Sequence, residues 1–344
     1  MSRLKTELNI VVFFMIIISG IFDFPDSVSL AEENFRWERV ETTSIWSPRS
    51  GHAAVVFDDK IWVLGGTLRN DVWYSSDGVE WIEAVTEADW FPRSGLTSVV
   101  FDDRMWVIGG ENWIDFDDVW FTSDGLIWTR AGSMPVNQLL GITSLVFEVQ
   151  MWIVGGEDPI LAKPSLNVQG SFPDYVWYST DGAEWMETTG NVLWAPRSAH
   201  ASVVFDDKIW VISGVTGVYG EAMPDVWFSP DGVQWFQATP DGGPKVAQTA
   251  AAVFANQMWV MGGRSSTYES GSTFSQEVWT STDGANWESN TYPTMWSPRA
   301  DHAAVVFRNK LWVLGGEGSE GLLNDVWVLR DPSGLEAEGW SEYR

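Results

Sequence analysis

The sequence predicts an all-β chain: a six-bladed β-propeller of four-stranded antiparallel blades, its ring closed by an N-terminal strand. Three observations carry this reading. The segment Pro48–Phe57 recurs almost letter for letter at Pro196–Phe205 and Pro298–Phe307, and weaker copies begin at Pro92, Pro135 and Pro244. Each copy leads into a second strand with a central tryptophan (Trp62, Trp106, Trp152, Trp210, Trp259, Trp312) that ends in Gly-Gly, with Ser213 replacing one glycine. The 344 residues also include 24 Trp, large apolar side chains suited to filling the space between sheets packed face to face. Six copies of a short-strand unit at a spacing of 44 to 58 residues are the signature of blades repeated around an axis.

The first unit shows the order of elements. Ala53–Phe57 is the innermost strand, Asp58-Asp59 a tight turn, and Ile61–Gly66 the second strand. Asp71–Ser75 follows as the third strand, an Asp-Gly turn comes next, and a fourth strand lies around Trp81. Ile61 and Val63 alternate with Trp62 and Leu64, the period of two that a strand requires. The sixth unit has only three clear strands. Trp37 precedes Pro48 by eleven residues, the interval that also separates Trp81 from Pro92, Trp185 from Pro196 and Trp287 from Pro298. Phe35–Val40 is therefore expected as the outer strand of the last blade. The competitor, Trp340, lies thirteen residues beyond Trp327, where the other units use eight.

Before the repeats, Arg3 and Lys5 precede the apolar run Ile10–Ile18, and Ser29-Leu30-Ala31 offers a cleavage site. That pattern predicts a secretory signal over residues 1–31, a mature propeller over 32–344 and a secreted or periplasmic location. No membrane insertion is expected after cleavage. The absence of Cys removes disulfides, thiolate metal sites and cysteine nucleophiles. A net charge of −27, from 47 Asp and Glu against 20 Lys and Arg, argues against nucleic acid, whose phosphates need a basic surface. No phosphate loop, dinucleotide fingerprint or nucleophile elbow is present, so neither a cofactor nor a resident metal is expected.

The Pro-Arg opening, the Gly-Gly after the second strand and the fourth-strand Trp eight residues beyond the third-strand Trp resemble the kelch repeat. It is the blade unit of kelch propellers and of the galactose-oxidase central domain. The resemblance covers about residues 35–330, with Trp in place of the usual second-strand Tyr. It implies the propeller and, for an exported chain, a module that binds a protein or a glycan. Copper-radical chemistry of the galactose-oxidase kind is excluded, because its Tyr–Cys cross-link needs a cysteine. Exported six-bladed kelch proteins include sialic-acid mutarotases, so a sugar mutarotase or epimerase is the alternative that the resemblance implies. The Ser-x-Asp-Gly-x-x-Trp turns (Ser75–Trp81 first) also look like shortened Asp-boxes.

Loop lengths separate the two faces of the disc. Turns within strand pairs one–two and three–four are constant, whereas the loops after Gly-Gly hold 4, 7, 18, 10, 13 and 8 residues. Irregular loops on a rigid repeat scaffold mark the binding face. There, Glu111, Glu157 and Glu317 follow Gly-Gly directly, Arg264 takes the same place in the fifth unit, and Arg49, Arg93, Arg197 and Arg299 enter the innermost strands. Two readings stand for these residues: a belt of Glu–Arg pairs between blades, or a polar funnel holding a sugar or carboxylate ligand. Trp113 is the nearby candidate for stacking on a sugar ring; Phe116, Phe172, Tyr219 and Tyr268 are others. Trp46, Trp90, Trp194 and Trp296 are either inter-blade wedges or exposed platforms. The aspartates of the constant face, such as Asp77 and Asp124, read as turn chemistry ahead of a Ca²⁺ ring. No catalytic residue is assigned, and the repeated His52, His200 and His302 read as repeat positions and not a metal cluster.

Overall fold

The computed structural model describes residues 35–330 apart from 115, 136–140, 157–175, 189–191, 217–219, 266–272, 291 and 293–294. The expected signal, Trp340, Glu157 with its long loop, Phe172, Tyr219 and Tyr268 lie outside the described residues. β1 is Arg36–Val40. The first blade comprises β2 (Ala53–Phe57), β3 (Lys60–Gly66), β4 (Arg69–Ser75) and β5 (Ile82–Val85); the second, β6 (Thr97–Phe101), β7 (Arg104–Ile108), β8 (Asp118–Thr122) and β9 (Thr129–Ser133). The third has β10 (Thr143–Phe147), β11 (Gln150–Val154), β12 (Val176–Ser179) and β13 (Met186–Glu187). In the fourth are β14 (Ala201–Phe205), β15 (Lys208–Ile212), β16 (Val226–Ser229) and β17 (Phe236–Thr239). The fifth holds β18 (Ala250–Phe254), β19 (Gln257–Arg264), β20 (Phe274–Ser281) and β21 (Glu288–Asn290). β22 (Ala303–Phe307), β23 (Lys310–Gly318) and β24 (Gly321–Arg330) begin the sixth.

β1 completes that sixth blade, pairing antiparallel with β24 from Arg36 opposite Arg330 to Val40 opposite Val326. The ring is thus closed by its two ends, as the eleven-residue interval predicts, and this protects an edge that would otherwise lack a partner. Inner strands follow one another around the axis as β2, β6, β10, β14, β18 and β22, returning to β2. The second strands are buried on both faces: Ile61, Trp62, Val63 and Leu64 are all inside. Their alternation therefore separates two interior environments, one toward each neighbouring blade, and not core from solvent. Trp46, Trp90, Trp194 and Trp296 are wedges; each is fully enclosed and meets an outer-strand tryptophan edge to face (Trp81, Trp128, Trp235 and Trp37).

The constant face is built from local turn chemistry. Asp58-Asp59, Asp102-Asp103 and Asp206-Asp207 all have positive φ, the conformation that a two-residue hairpin matched to strand twist requires. In the Asp-Gly turns, Ser75 Oγ accepts the Gly78 N–H at 2.8 Å, and Asp77 Oδ1 accepts from Val79 and Glu80 at 2.8 and 3.0 Å. Each turn then caps a tryptophan of the preceding blade. A Cβ on Gly125 (φ +77°) would stand 2.2 Å from Trp62, whose indole N–H is already committed to the Phe57 carbonyl. Gly125→Ala combines left-handed strain with forced movement of a packed ring, and is expected to destabilise by about 2–3 kcal/mol. Denaturant melts check this; a loss below about 0.5 kcal/mol would mean the turn is free to lift off the tryptophan.

Two of the weak repeat copies need realignment. Ala247 pairs with Arg264 as Ala300 pairs with Glu317, which puts Val246, not Lys245, in the place of Arg299. Gly141 occupies the place of Gly51, yet it stands six residues after Pro135 where Gly51 stands three after Pro48. Proline is therefore not the fixed point of the repeat. The fixed point is the residue that enters the axial ring described next.

Candidate functional site

At the variable-face end of the inner strands, one residue per blade takes a left-handed conformation: Gly51, Gly95, Gly141, Ala199, Gln248 and Asp301, with φ between 51° and 64°. Backbone N–H groups in this layer bond around the axis. Ala199 donates to Gly141, Gln248 to Ala199, Asp301 to Gln248, Gly51 to Asp301 and Gly95 to Gly51, at 2.8–2.9 Å. Glycine suits the conformation, so the side chains at Gln248 and Asp301 are departures placed at the mouth of the axial channel. The residue after Gly-Gly is locked beside this ring by reciprocal backbone bonds. Glu111 exchanges them with Ser94, Arg264 with Ala247 and Glu317 with Ala300. Three of the predicted site residues are thereby held at one level.

A mixed-charge cluster results. Arg264 Nη2 lies 2.5 Å from Glu317 Oε2 and 3.9 Å from Asp301 Oδ2, and its guanidinium sits 4.5 Å over the Phe274 ring. These side chains are partly open to solvent, at 17% for Arg264, 39% for Glu317 and 26% for Asp301. Burial pushes the Asp301 carboxyl up to about 7; Arg264 opposes this, while the charges of Glu317 and Glu111 add to it. A carboxyl raised toward neutrality beside an arginine and two glutamates is a mark of function. Sequence reading missed Asp301, although its signal was available: the repeats put glycine at this position in three units.

The four arginines are a different story. Arg49, Arg93, Arg197 and Arg299 are fully buried. Each forms a two-pronged pair inside its own blade with an aspartate two residues before the third-strand Trp: Asp71, Asp118, Asp225 or Asp325. They leave the ligand-binding set, and the expected Glu–Arg belt is an Arg–Asp ladder within blades. At this level Glu317 does contact Arg264. Burial alone would raise the four aspartates; hydrogen bonds and charge from the paired arginine outweigh it and hold them below the usual carboxylate range. The pairing was legible as covariation within the repeat: where Val246 replaces the arginine, Glu277 replaces the aspartate.

His52, His200 and His302 each pack against a different preceding blade. A Cβ on Gly315, Gly155 or Gly262 would meet the respective imidazole Cε1 at 3.1, 2.6 or 2.8 Å, so the first glycine of each pair makes room for a ring. Burial, reinforced by the neighbouring arginines, drives all three down to about 3 and keeps them neutral.

Trp113 stands apart. It is 93% exposed and has φ +56°, in a loop pinned by Asn112 N–H to Ile114 O (2.8 Å) and Asn112 Nδ2 to Pro92 O (2.9 Å). A bulky residue held in left-handed backbone without burial is a strained position of the kind found at ligand sites. Phe116, by contrast, is buried; it stacks on exposed Phe91 and covers the Arg93 guanidinium at 4.3 Å.

Comparison with known proteins agrees with the propeller fold. The kelch motif matches residues 48–86 and 298–330, the whole of the first blade and the three chain-terminal strands of the sixth. The chain is a six-bladed propeller with kelch motifs in its first and sixth blades. Among solved structures, one titled "Structure of YjhT" superposes with a TM-score of 0.69 at 17% identity, covering 85% of this chain and 99% of that one. The likeness concerns the fold alone. No curated protein matches the sequence.

Proposed function

We propose that this kelch propeller is an exported binding module that engages a glycan at its variable face, around the mouth of the axial channel. The observation that supports it most is the cluster of Arg264, Glu317 and Asp301 with Glu111 in electrostatic reach, contributed by three blades and open to solvent. Donor and acceptor groups fixed on rigid strands can match ring hydroxyls with little loss of freedom on binding. Exposed Trp113 adds an aromatic surface on the same face. Among the described residues the opposite face offers no comparable site: aspartates such as Asp77 and Asp124 spend their acceptors on backbone N–H groups.

Asp301 supports a second reading. A carboxyl near 7 beside an arginine is poised for acid–base work on a sugar, which favours the mutarotase or epimerase alternative. One experiment tests both. On glycan and peptide arrays, Trp113→Ala and Glu317→Gln are expected to weaken binding tenfold or more, with Asp231→Asn on the constant face unchanged. Binding lost only through Asp231→Asn would overturn the choice of face, and preferential capture of peptides would replace the glycan. Sugars that bind are then followed by NMR anomer exchange; acceleration abolished by Asp301→Asn makes the module an enzyme.

A further inference from the structure

The channel mouth carries a further inference, which rests on the variable-face reading and specifies the chemistry of its ligand. Among the described residues, the acidic acceptors Asp301 and Glu317 outnumber the one cation they share, Arg264. Arg264 is shared between Glu317 and Asp301, and the charged groups facing Asp301 are Arg264 at the end of β19, Glu317 on β23 and Glu111 after β7. Next to Asp301 in the axial ring stands Gln248, whose side-chain oxygen is buried with no hydrogen-bond partner. The Arg264 Nε–H is buried and unpartnered as well. An orphan acceptor beside surplus carboxylate is an unmet demand for a charged N–H donor, and the orphan N–H of Arg264 is an unmet demand for an acceptor. Left empty, both groups carry the penalty of a buried polar atom without a partner.

We propose that the mouth recognises a primary ammonium group with a hydroxyl beside it, as in an unacetylated amino sugar. The ammonium is held by the Asp301 carboxylate and the Gln248 side-chain oxygen, and the hydroxyl oxygen accepts from Arg264 Nε. The ligand's positive charge offsets the carboxylates of Asp301 and Glu317, so binding favours ionised Asp301. Because that carboxyl titrates near 7, an ammonium ligand binds with release of a fraction of a proton at neutral pH, and its affinity rises as pH increases toward 7.

Calorimetry on the full chain tests this with four probes: glucosamine, N-acetylglucosamine, glucose and Nα-acetyl-lysine amide. Glucosamine is expected to bind at least tenfold more tightly than N-acetylglucosamine or glucose, which lack the charge. It should also exceed the lysine amide, which has the ammonium without the neighbouring hydroxyl. Its affinity is expected to rise about tenfold between pH 5.5 and 7, with proton release seen as a buffer-dependent heat. Asp301→Asn should abolish both the pH dependence and the preference over glucose, and Gln248→Leu should weaken glucosamine alone. Equal binding of glucose and glucosamine, a flat pH profile, or no heat with glucosamine would overturn the ammonium site. Lysine amide binding as tightly as glucosamine would remove the sugar from the proposal. If the arrays show uncharged glycans captured through Trp113 and Glu317, the variable face stands while this site falls.

Discussion

Between pH 7 and pH 5 the propeller is expected to lose about 3 kcal/mol of stability. His52, His200 and His302 are buried and neutral, with folded values near 3, whereas in the unfolded chain they take up a proton below about 6.5. Across that window the unfolded state binds more protons, so stability falls as pH drops. The three histidines together account for about 6 kcal/mol. Asp301 acts in the opposite sense. Its folded value, about 7, lies above its unfolded one, so its contribution is full at low pH and lost as pH rises through 7. Acidification to pH 5 recovers about 2 kcal/mol from it. Urea melts at pH 7, 6 and 5 read the net slope. Asp301→Asn should steepen it, and the triple change His52→Leu, His200→Leu and His302→Leu should remove the loss. Leucine is a natural choice, because Leu96 occupies this place in the second blade. An unchanged melting profile down to pH 5 would show that the imidazoles are not sealed from water.

The second large effect concerns the Arg–Asp ladder. In the second blade, Arg93 donates to both Asp118 oxygens at 2.6 and 3.0 Å, to Gly109 O at 2.8 Å and to Phe91 O at 3.0 Å; Trp120 Nε1 donates to Asp118 at 2.7 Å. Arg93 has no exposed side-chain surface. Asp118→Ala strands a buried guanidinium and is expected to cost about 3–5 kcal/mol, a fall large enough to unfold a marginal variant on warming. Removing both charges is a different matter, because a buried pair gains little over well-packed apolar groups. Arg93→Met combined with Asp118→Leu should therefore recover most of the loss. The fifth blade already uses the buried Val246 in the arginine position. Thermal denaturation of the single and double variants decides between these outcomes. A double variant as unstable as Asp118→Ala would mean that the pair specifies blade geometry and does more than neutralise itself.

The contrast between these residues shows what local pattern carries. Strand order, tight turns and ring closure were legible because each follows from near neighbours in the chain. Alternation sets a strand, a pair of residues at positive φ sets a hairpin, and the interval from Trp37 to Pro48 matches the link between blades. Even the realigned fifth blade keeps its Trp and Gly-Gly, and only the proline misled. Trp113 was named from sequence and is an exposed ring. Glu111, Arg264 and Glu317 were named as one level, and the backbone bonds place them there.

Burial and charge were decided by the tertiary structure. Arg299 and Arg264 look alike as cations near one rim, yet one is sealed behind a tryptophan wedge and a paired aspartate while the other opens on the channel. Asp301 reads as another turn-forming acid until the fifth blade sets Gln248 and Arg264, and its own blade Glu317, around it. The reason is physical. Backbone conformation answers to a few adjacent residues, whereas desolvation and electrostatic potential sum over everything within about 10 Å, and in a ring those groups come from segments hundreds of residues apart.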